Sequence, residues 1–136
     1  MVFEDNIPTA PFISLIYREH AKYINDNVKD DDLSFGLHPL LIKIYRHDGI
    51  SQEHLAHYFH LNESTITRNL KKLEDKELIV KVRDKRKKII KITPKGEKTA
   101  QKVMDFDEKW DEQLNLTDEE YEYFLKILKK ITDDLI

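Results

Sequence analysis

A chain of 136 residues, 40% of them hydrophobic, can build one compact domain or two small subdomains around a buried core. Charged residues reach 36%, with only 3 Gly, 4 Pro and a formal net charge of −3, a composition that favours long helices. The absence of cysteine excludes disulfides, thiolate metal sites and thiol-based redox sensing, and points to a reducing, cytoplasmic compartment.

The N-terminal "MVFEDNIPTAPFISLIYREH" has no basic segment ahead of an apolar stretch, and no apolar run nears the ~18 residues of a membrane span, so neither export nor membrane insertion is expected. From Ala10 to Val28, Phe12, Ile13, Ile16, Tyr23 and Ile24 recur at near-helical spacing, predicting one long helix that Asp30, Asp31 and Asp32 end. Leu37, Leu40, Leu41, Ile44 and Tyr45 mark a second helix, with Pro39 tolerable in its first turn and His47-Asp48-Gly49 closing it. Ser51 is placed to cap a short helix, "QEHLAHYF", that turns Leu55, Ala56 and Phe59 inward. Asn62 caps the next. Leu61 and Ile66 stand at hydrophobic-staple positions, and the stripe Ile66, Leu70, Leu73 continues to about Lys76.

After Leu78 the pattern changes from helical to alternating. "LIVKV" and "KIIKI" flank Arg83 to Lys87, which reads as a short antiparallel hairpin with basic residues at its tip. Thr93 caps a further helix with Pro94 at its first position, carrying Ala100, Val103, Met104, Trp110 and Leu114. Leu116, Thr117, Glu120 and Tyr121 supply staple and capping box for a last helix with Phe124, Leu125, Leu128, Ile131 and Leu135. Helix, turn, helix and basic hairpin is the order of a winged helix-turn-helix. The expected fold is mainly α with a small β-wing: a winged helix-turn-helix over residues 35–93, flanked by dimerisation helices over residues 8–30 and 94–136. Alone, the terminal helices would leave Phe12, Ile16, Phe124, Leu128 and Ile131 poorly covered, which a two-fold partner repairs.

Charge is divided sharply along the chain. Residues 61–100 hold 13 Lys or Arg against 6 Asp or Glu, and the remainder 10 against 20. One basic face on an acidic body suits selective binding to a polyanion. With the Ile66, Leu70, Leu73 stripe turned to the core, Ser64, Arg68 and Lys71 fall opposite it and Thr65, Thr67 and Lys72 toward the flanks. Short hydroxyls and cations on that face, with Arg83, Lys85, Arg86 and Lys87 on the hairpin, make a candidate surface for double-stranded DNA.

From Leu40 to Gly96 the chain resembles the multiple antibiotic resistance regulator (MarR) family of transcription factors, through "SQEHLAHYF", "ESTITRNLKKLEDKELI" and "DKRKKIIKITPKG" in the family's order. The family's Asp-x-Arg wing pattern matches Asp84-Lys85-Arg86. The resemblance implies that Arg86 enters the minor groove, Asp84 braces the wing, and Ser64, Thr65, Thr67 and Arg68 meet the major groove. It further implies a homodimeric regulator, read here as a repressor, on a pseudo-palindromic site, with a ligand cleft between its dimerisation and DNA-binding parts. Three positions depart from the pattern: Glu77 replaces a usual glycine, Lys81 a frequent arginine, and the segment from Ile79 to Asp84 is shorter, giving a stubbier wing. A left-handed Glu77 would cost about 1 kcal/mol, unless the helix ends differently.

Other readings compete. His54, His57 and His60, with His47 and Asp48 upstream, invite a zinc-sensing regulator, but nothing completes an obvious tetrahedron; surface histidines are the default, and no metal or cofactor is expected. No glycine-rich phosphate loop, nucleophile elbow or zinc-hydrolase motif supports an enzyme. A winged helix that binds RNA or a protein partner stands as the alternative class. Phe12, Tyr17, Tyr23, Tyr45, Trp110, Tyr121 and Phe124 either line a cleft for a small aromatic or phenolic ligand or form core and dimer seam.

Overall fold

Local capping chemistry sets most of the element boundaries. The computed structural model describes residues 8–28, 33 and 37–135. Asp30 to Asp32, expected to end the first helix, lie outside the described residues, as do residues 35 and 36 at the expected start of the winged lobe. The described elements are α1 (Thr9–Asn27), α2 (Leu37–Arg46), β1 (Ile50–Ser51), α3 (Gln52–Tyr58), α4 (Glu63–Asp75), β2 (Ile79–Asp84), β3 (Lys87–Ile92), α5 (Pro94–Glu112) and α6 (Asp118–Leu135).

Each predicted cap is made. The Ser51 hydroxyl accepts the His54 N–H at 3.1 Å, Asn62 Oδ1 that of Thr65 at 2.8 Å, and the Thr93 hydroxyl that of Gly96 at 3.0 Å. Ahead of α6 the capping box closes in both directions, Thr117 N–H to Glu120 at 3.0 Å and Glu120 N–H to Thr117 at 3.2 Å. Each satisfies an N–H the helix cannot, worth about 1 kcal/mol.

One apolar core joins the winged lobe to α5. It takes Leu40, Leu41 and Ile44 from α2, Leu55 from α3, and Ile66, Leu70 and Leu73 from α4; Leu78, Ile79 and Ile90 close it from the sheet side, and Ala100 and Val103 from α5. Its helical members are residues that the apolar stripes nominated.

The sheet corrects the expected two-stranded hairpin. It has three antiparallel strands in the order β1-β3-β2, with Ile50 opposite Ile90, Ile79 opposite Ile92 and Asp84 opposite Lys87. β1 is two residues long, too short to show alternation. The chain reaches it through Gly49, whose φ of 91° a side chain would strain; its N–H donates to the Ile90 carbonyl at 2.9 Å. A second correction concerns α5: it stops at Glu112, and Leu114 lies beyond it, just before Asn115 at φ 54°.

Left-handed non-glycine residues also end α3 and α4. At the end of α4, Glu77 takes φ 62°, its N–H meets the Glu74 carbonyl at 2.9 Å and the Leu78 N–H reaches back to Leu73 at 3.1 Å. That pattern is a Schellman motif with glutamate in the glycine position. His60 at φ 52° does the same after α3, through His57 and Ala56. It makes the tight turn that leads into Asn62 and α4.

The end of α4 is fastened to the start of α5. Thr93 donates its hydroxyl to the Glu77 carbonyl at 2.7 Å, its N–H binds the Leu78 carbonyl at 3.1 Å, and the Lys95 ammonium reaches the Lys76 carbonyl at 3.0 Å. Gly96 lets the two backbones close: a Cβ there would sit 2.0 Å from the Leu78 carbonyl oxygen.

Candidate nucleic-acid interface

Burial divides α4 as the wheel predicts. Ile66, Leu70 and Leu73 are fully buried, Ser64, Thr67, Arg68, Lys71 and Lys72 are exposed, and Thr65 is half-buried. The outer side chains are held by short bonds at the start of the helix. Ser64 donates its hydroxyl to Asn62 Oδ1 at 2.8 Å, and an Arg68 guanidinium N–H points to the Thr65 hydroxyl at 3.4 Å. Lys71 pairs with Asp75 at 3.7 Å; both are largely exposed, so the pair adds little stability. Lys72 lies in the last turn, where cations suit the helix dipole.

Beside α4 stands the wing. Arg83 and Asp84 end β2, Lys87 begins β3, and the two-residue turn between is Lys85-Arg86, with Lys85 at φ 58°. Two-residue hairpin turns require a positive φ to match the strand twist. All five residues are exposed, and Asp84 faces Lys87 in register at the root of the turn. Arg86, Lys87 and Lys88 share one shallow depression with Glu53 at the start of α3 and Glu63 at the start of α4. The basic tip and the opening of α4 thus belong to one surface.

Sequence reasoning missed two residues that hold this surface. Asp48 Oδ1 accepts the Ile92 N–H at 2.9 Å, and its other oxygen lies 4.0 Å from the Lys91 ammonium, tying β3 to the loop before β1. Gln52, the first residue of α3, is buried and donates its amide to the Thr67 hydroxyl of α4 at 2.9 Å. Neither bond is local, and no spacing rule signals it.

Of the seven aromatic residues, Tyr17, Trp110 and Phe124 line an apolar cleft of about 740 Å³ between α1, α5 and α6, together with Ile13, Ile16 and Leu128. Tyr23 packs in the core edge against Trp110 and Phe106, Tyr45 accepts from Gln101 at 3.1 Å, and Tyr121 donates to Asp111 at 2.7 Å. Phe12 is on α1, 39% exposed, and outside the cleft lining. In the cleft wall, His20 binds Asp107 at 2.7 Å and sits 5.3 Å from the His38 ring. Burial pushes the His38 imidazole down to about 4, helped by His20 and opposed by Asp107.

His54 and His57 lie on α3, and His60 just beyond it. His57 and His60 stack at 6.3 Å, and among the described residues no three His, Cys, Asp or Glu side chains come together as ligands.

Residues 36–88 match the sequence model of the MarR family. The chain is 30% identical over 129 residues to the HTH-type transcriptional regulator BilQ of Clostridium symbiosum (strain WAL-14163), covering 90% of each protein. This chain belongs to the MarR family. It is a transcriptional regulator, as the family is, and not an enzyme.

The MarR likeness extends to the whole fold. A crystal structure of MarR superposes at TM-score 0.88 with 27% identity, over 99% of this chain and 95% of that one. A MarR-family regulator from Listeria monocytogenes in complex with 26-mer DNA gives 0.84 and 25%, over 95% and 89%. The mainly α architecture with a small wing is therefore the MarR fold, and among the described residues no helix is long and apolar enough to cross a membrane.

Proposed function

We propose that the protein is a homodimeric repressor that binds pseudo-palindromic duplex DNA through α4 and the β2–β3 wing. The observation that carries this reading is the shared surface of α4 and wing. Its outward side chains are Ser64, Thr67, Arg68, Lys71 and Lys72 on one element and Arg83, Lys85, Arg86 and Lys87 on the other, all exposed. Half-buried Thr65 flanks the first group, and Asp84 braces the second from the root of the turn. Arg68 suits a guanine edge or a phosphate; the wing cations suit the backbone, and Arg86 at the tip suits the minor groove.

Residues 35–93 form the DNA-binding lobe, and residues 8–30 and 94–136 the dimerisation helices. Support comes from α6, an 18-residue helix that buries none of its side chains, with Leu128 41%, Ile131 45% and Leu135 79% exposed. On α1, Ile13 and Ile16 are likewise more than half or half exposed, at 59% and 50%. A second copy related by a two-fold axis covers both faces and sets two α4 helices about one DNA turn apart, for half-sites spaced about 10 base pairs. The 740 Å³ cleft then accepts a small aromatic or phenolic molecule, which releases DNA by changing the distance between lobes.

The test is titration of purified protein against labelled duplex at several salt concentrations, with RNA as competitor, alongside sedimentation. Expected are a dimer, a steep salt dependence and preference for duplex. Equal affinity for RNA, or no binding to duplex in dilute buffer, would refute the proposal and favour the RNA- or protein-binding alternative.

A further inference from the structure

Gln52 is a costly residue where it stands. It is 6% exposed, one amide hydrogen goes to the Thr67 hydroxyl at 2.9 Å, and its Oε1 is buried with no partner among the described residues. A buried acceptor left unmet destabilises, and an apolar side chain of equal length would avoid that. Reversing the amide would be worse, since it would bury the NH2 group where Oε1 now lies, with its donors unmet.

The bond fixes what Thr67 can offer. A hydroxyl has one hydrogen and two lone pairs, and the Gln52 amide occupies a lone pair. Threonines in helices commonly spend that hydrogen on the carbonyl four residues back, as Thr132 does to Leu128 at 2.8 Å. Thr67 makes no such bond among the described residues, and its side chain is exposed on the outer flank of α4. Its hydrogen is therefore free, pointed away from Gln52, while its acceptor capacity is partly consumed from behind.

We propose that Gln52 is a positioning residue for base recognition: it holds Thr67 as a hydrogen-bond donor, so that Thr67 selects an acceptor on a major-groove base edge. Guanine N7 and O6, adenine N7 and thymine O4 satisfy it; the amino group of cytosine does not. The inference rests on the DNA-binding reading above and adds a chemical sense to one of its contacts.

The experiment selects bound duplexes from a randomised library with the full-length protein, then measures affinity for every single-base substitution of the preferred site. Thr67→Val, which removes the hydroxyl at nearly constant volume, should reduce discrimination at one base pair by about three- to tenfold, the worth of one hydrogen bond. Thr67→Ser should restore it. Gln52→Met keeps the packing and frees the Thr67 hydroxyl to rotate; it should relax the same base pair while thermal stability stays level or rises. In the double variant the two effects should not add. An equal loss on every duplex from Thr67→Val would mean a phosphate contact and overturn the proposal. So would an unchanged base profile, even if Gln52→Met failed to fold. Loss of all duplex binding by the unsubstituted protein would overturn the functional reading itself, a result separate from either.

Discussion

Glu77 offers a quantitative check on how the recognition-helix candidate ends. An L-residue held at φ 62° costs about 1–2 kcal/mol relative to right-handed backbone. Glycine removes that cost but loses about 0.5–1 kcal/mol more conformational freedom on folding. Relief of strain should therefore stabilise Glu77→Gly by about 0–1.5 kcal/mol. Part of any gain comes from removing a carboxylate beyond the C-terminus of α4, where the helix dipole disfavours it. Glu77→Ala measures that part alone, because alanine keeps the Cβ. The decisive quantity is thus the difference between the two variants, read by urea denaturation at fixed protein concentration with an unchanged m-value. Thr93 still binds the residue-77 carbonyl in both, so the fastening to α5 is common to the comparison. A glycine variant less stable than the alanine variant by about 0.5–1 kcal/mol, the conformational cost alone, would show that the left-handed Schellman position carries no strain, and the account of this helix end would fail.

Other perturbations test other links. Gly96→Ala brings a Cβ to 2.0 Å from the Leu78 carbonyl oxygen and 2.8 Å from Ile92 Cγ1, and should cost about 3 kcal/mol, read as a lowered denaturation midpoint. His38 is held neutral with its pKa near 4 against 6.5, so the unfolded chain binds the proton more readily. Its contribution is complete above pH 6.5 and is lost as pH falls toward 4, about 3 kcal/mol in all; His38→Leu should flatten the stability profile between pH 5 and 6.5. Arg68→Ala should cost about 1–3 kcal/mol in DNA binding with relaxed preference at one base position, measured on substituted duplexes. Arg86→Ala should weaken specific and random duplex alike and flatten the salt dependence by about one unit; selective loss at A·T-rich flanks would instead show minor-groove reading.

Local chemistry was readable from the sequence; tertiary chemistry was not. Ser51, Asn62, Thr93 and Thr117 announced themselves because a cap acts within three residues of its helix. Ile66, Leu70 and Leu73 did so because a buried stripe has a fixed period. The apolar Leu114 suggested a longer α5, but the helix ends at Glu112 and the chain turns left-handed at Asn115. By contrast, Gln52 and Thr67 lie 15 positions apart and Asp48 and Ile92 44, so only the folded chain brings them together. His38 gave no hint of burial, since its neighbour His20 comes from another helix. On the candidate DNA surface, the sequence supplied the side chains, and the fold supplied the hydroxyl geometry between them.

The knot of Thr93, Lys95 and Gly96 at the end of α4 has a mechanical consequence. Three bonds and one bare backbone contact leave no slack between that helix and the long shaft of α5, whose far end borders the apolar cleft. A tilt of the shaft would strain those bonds at the joint, so α4 and α5 are tied to move together at that end.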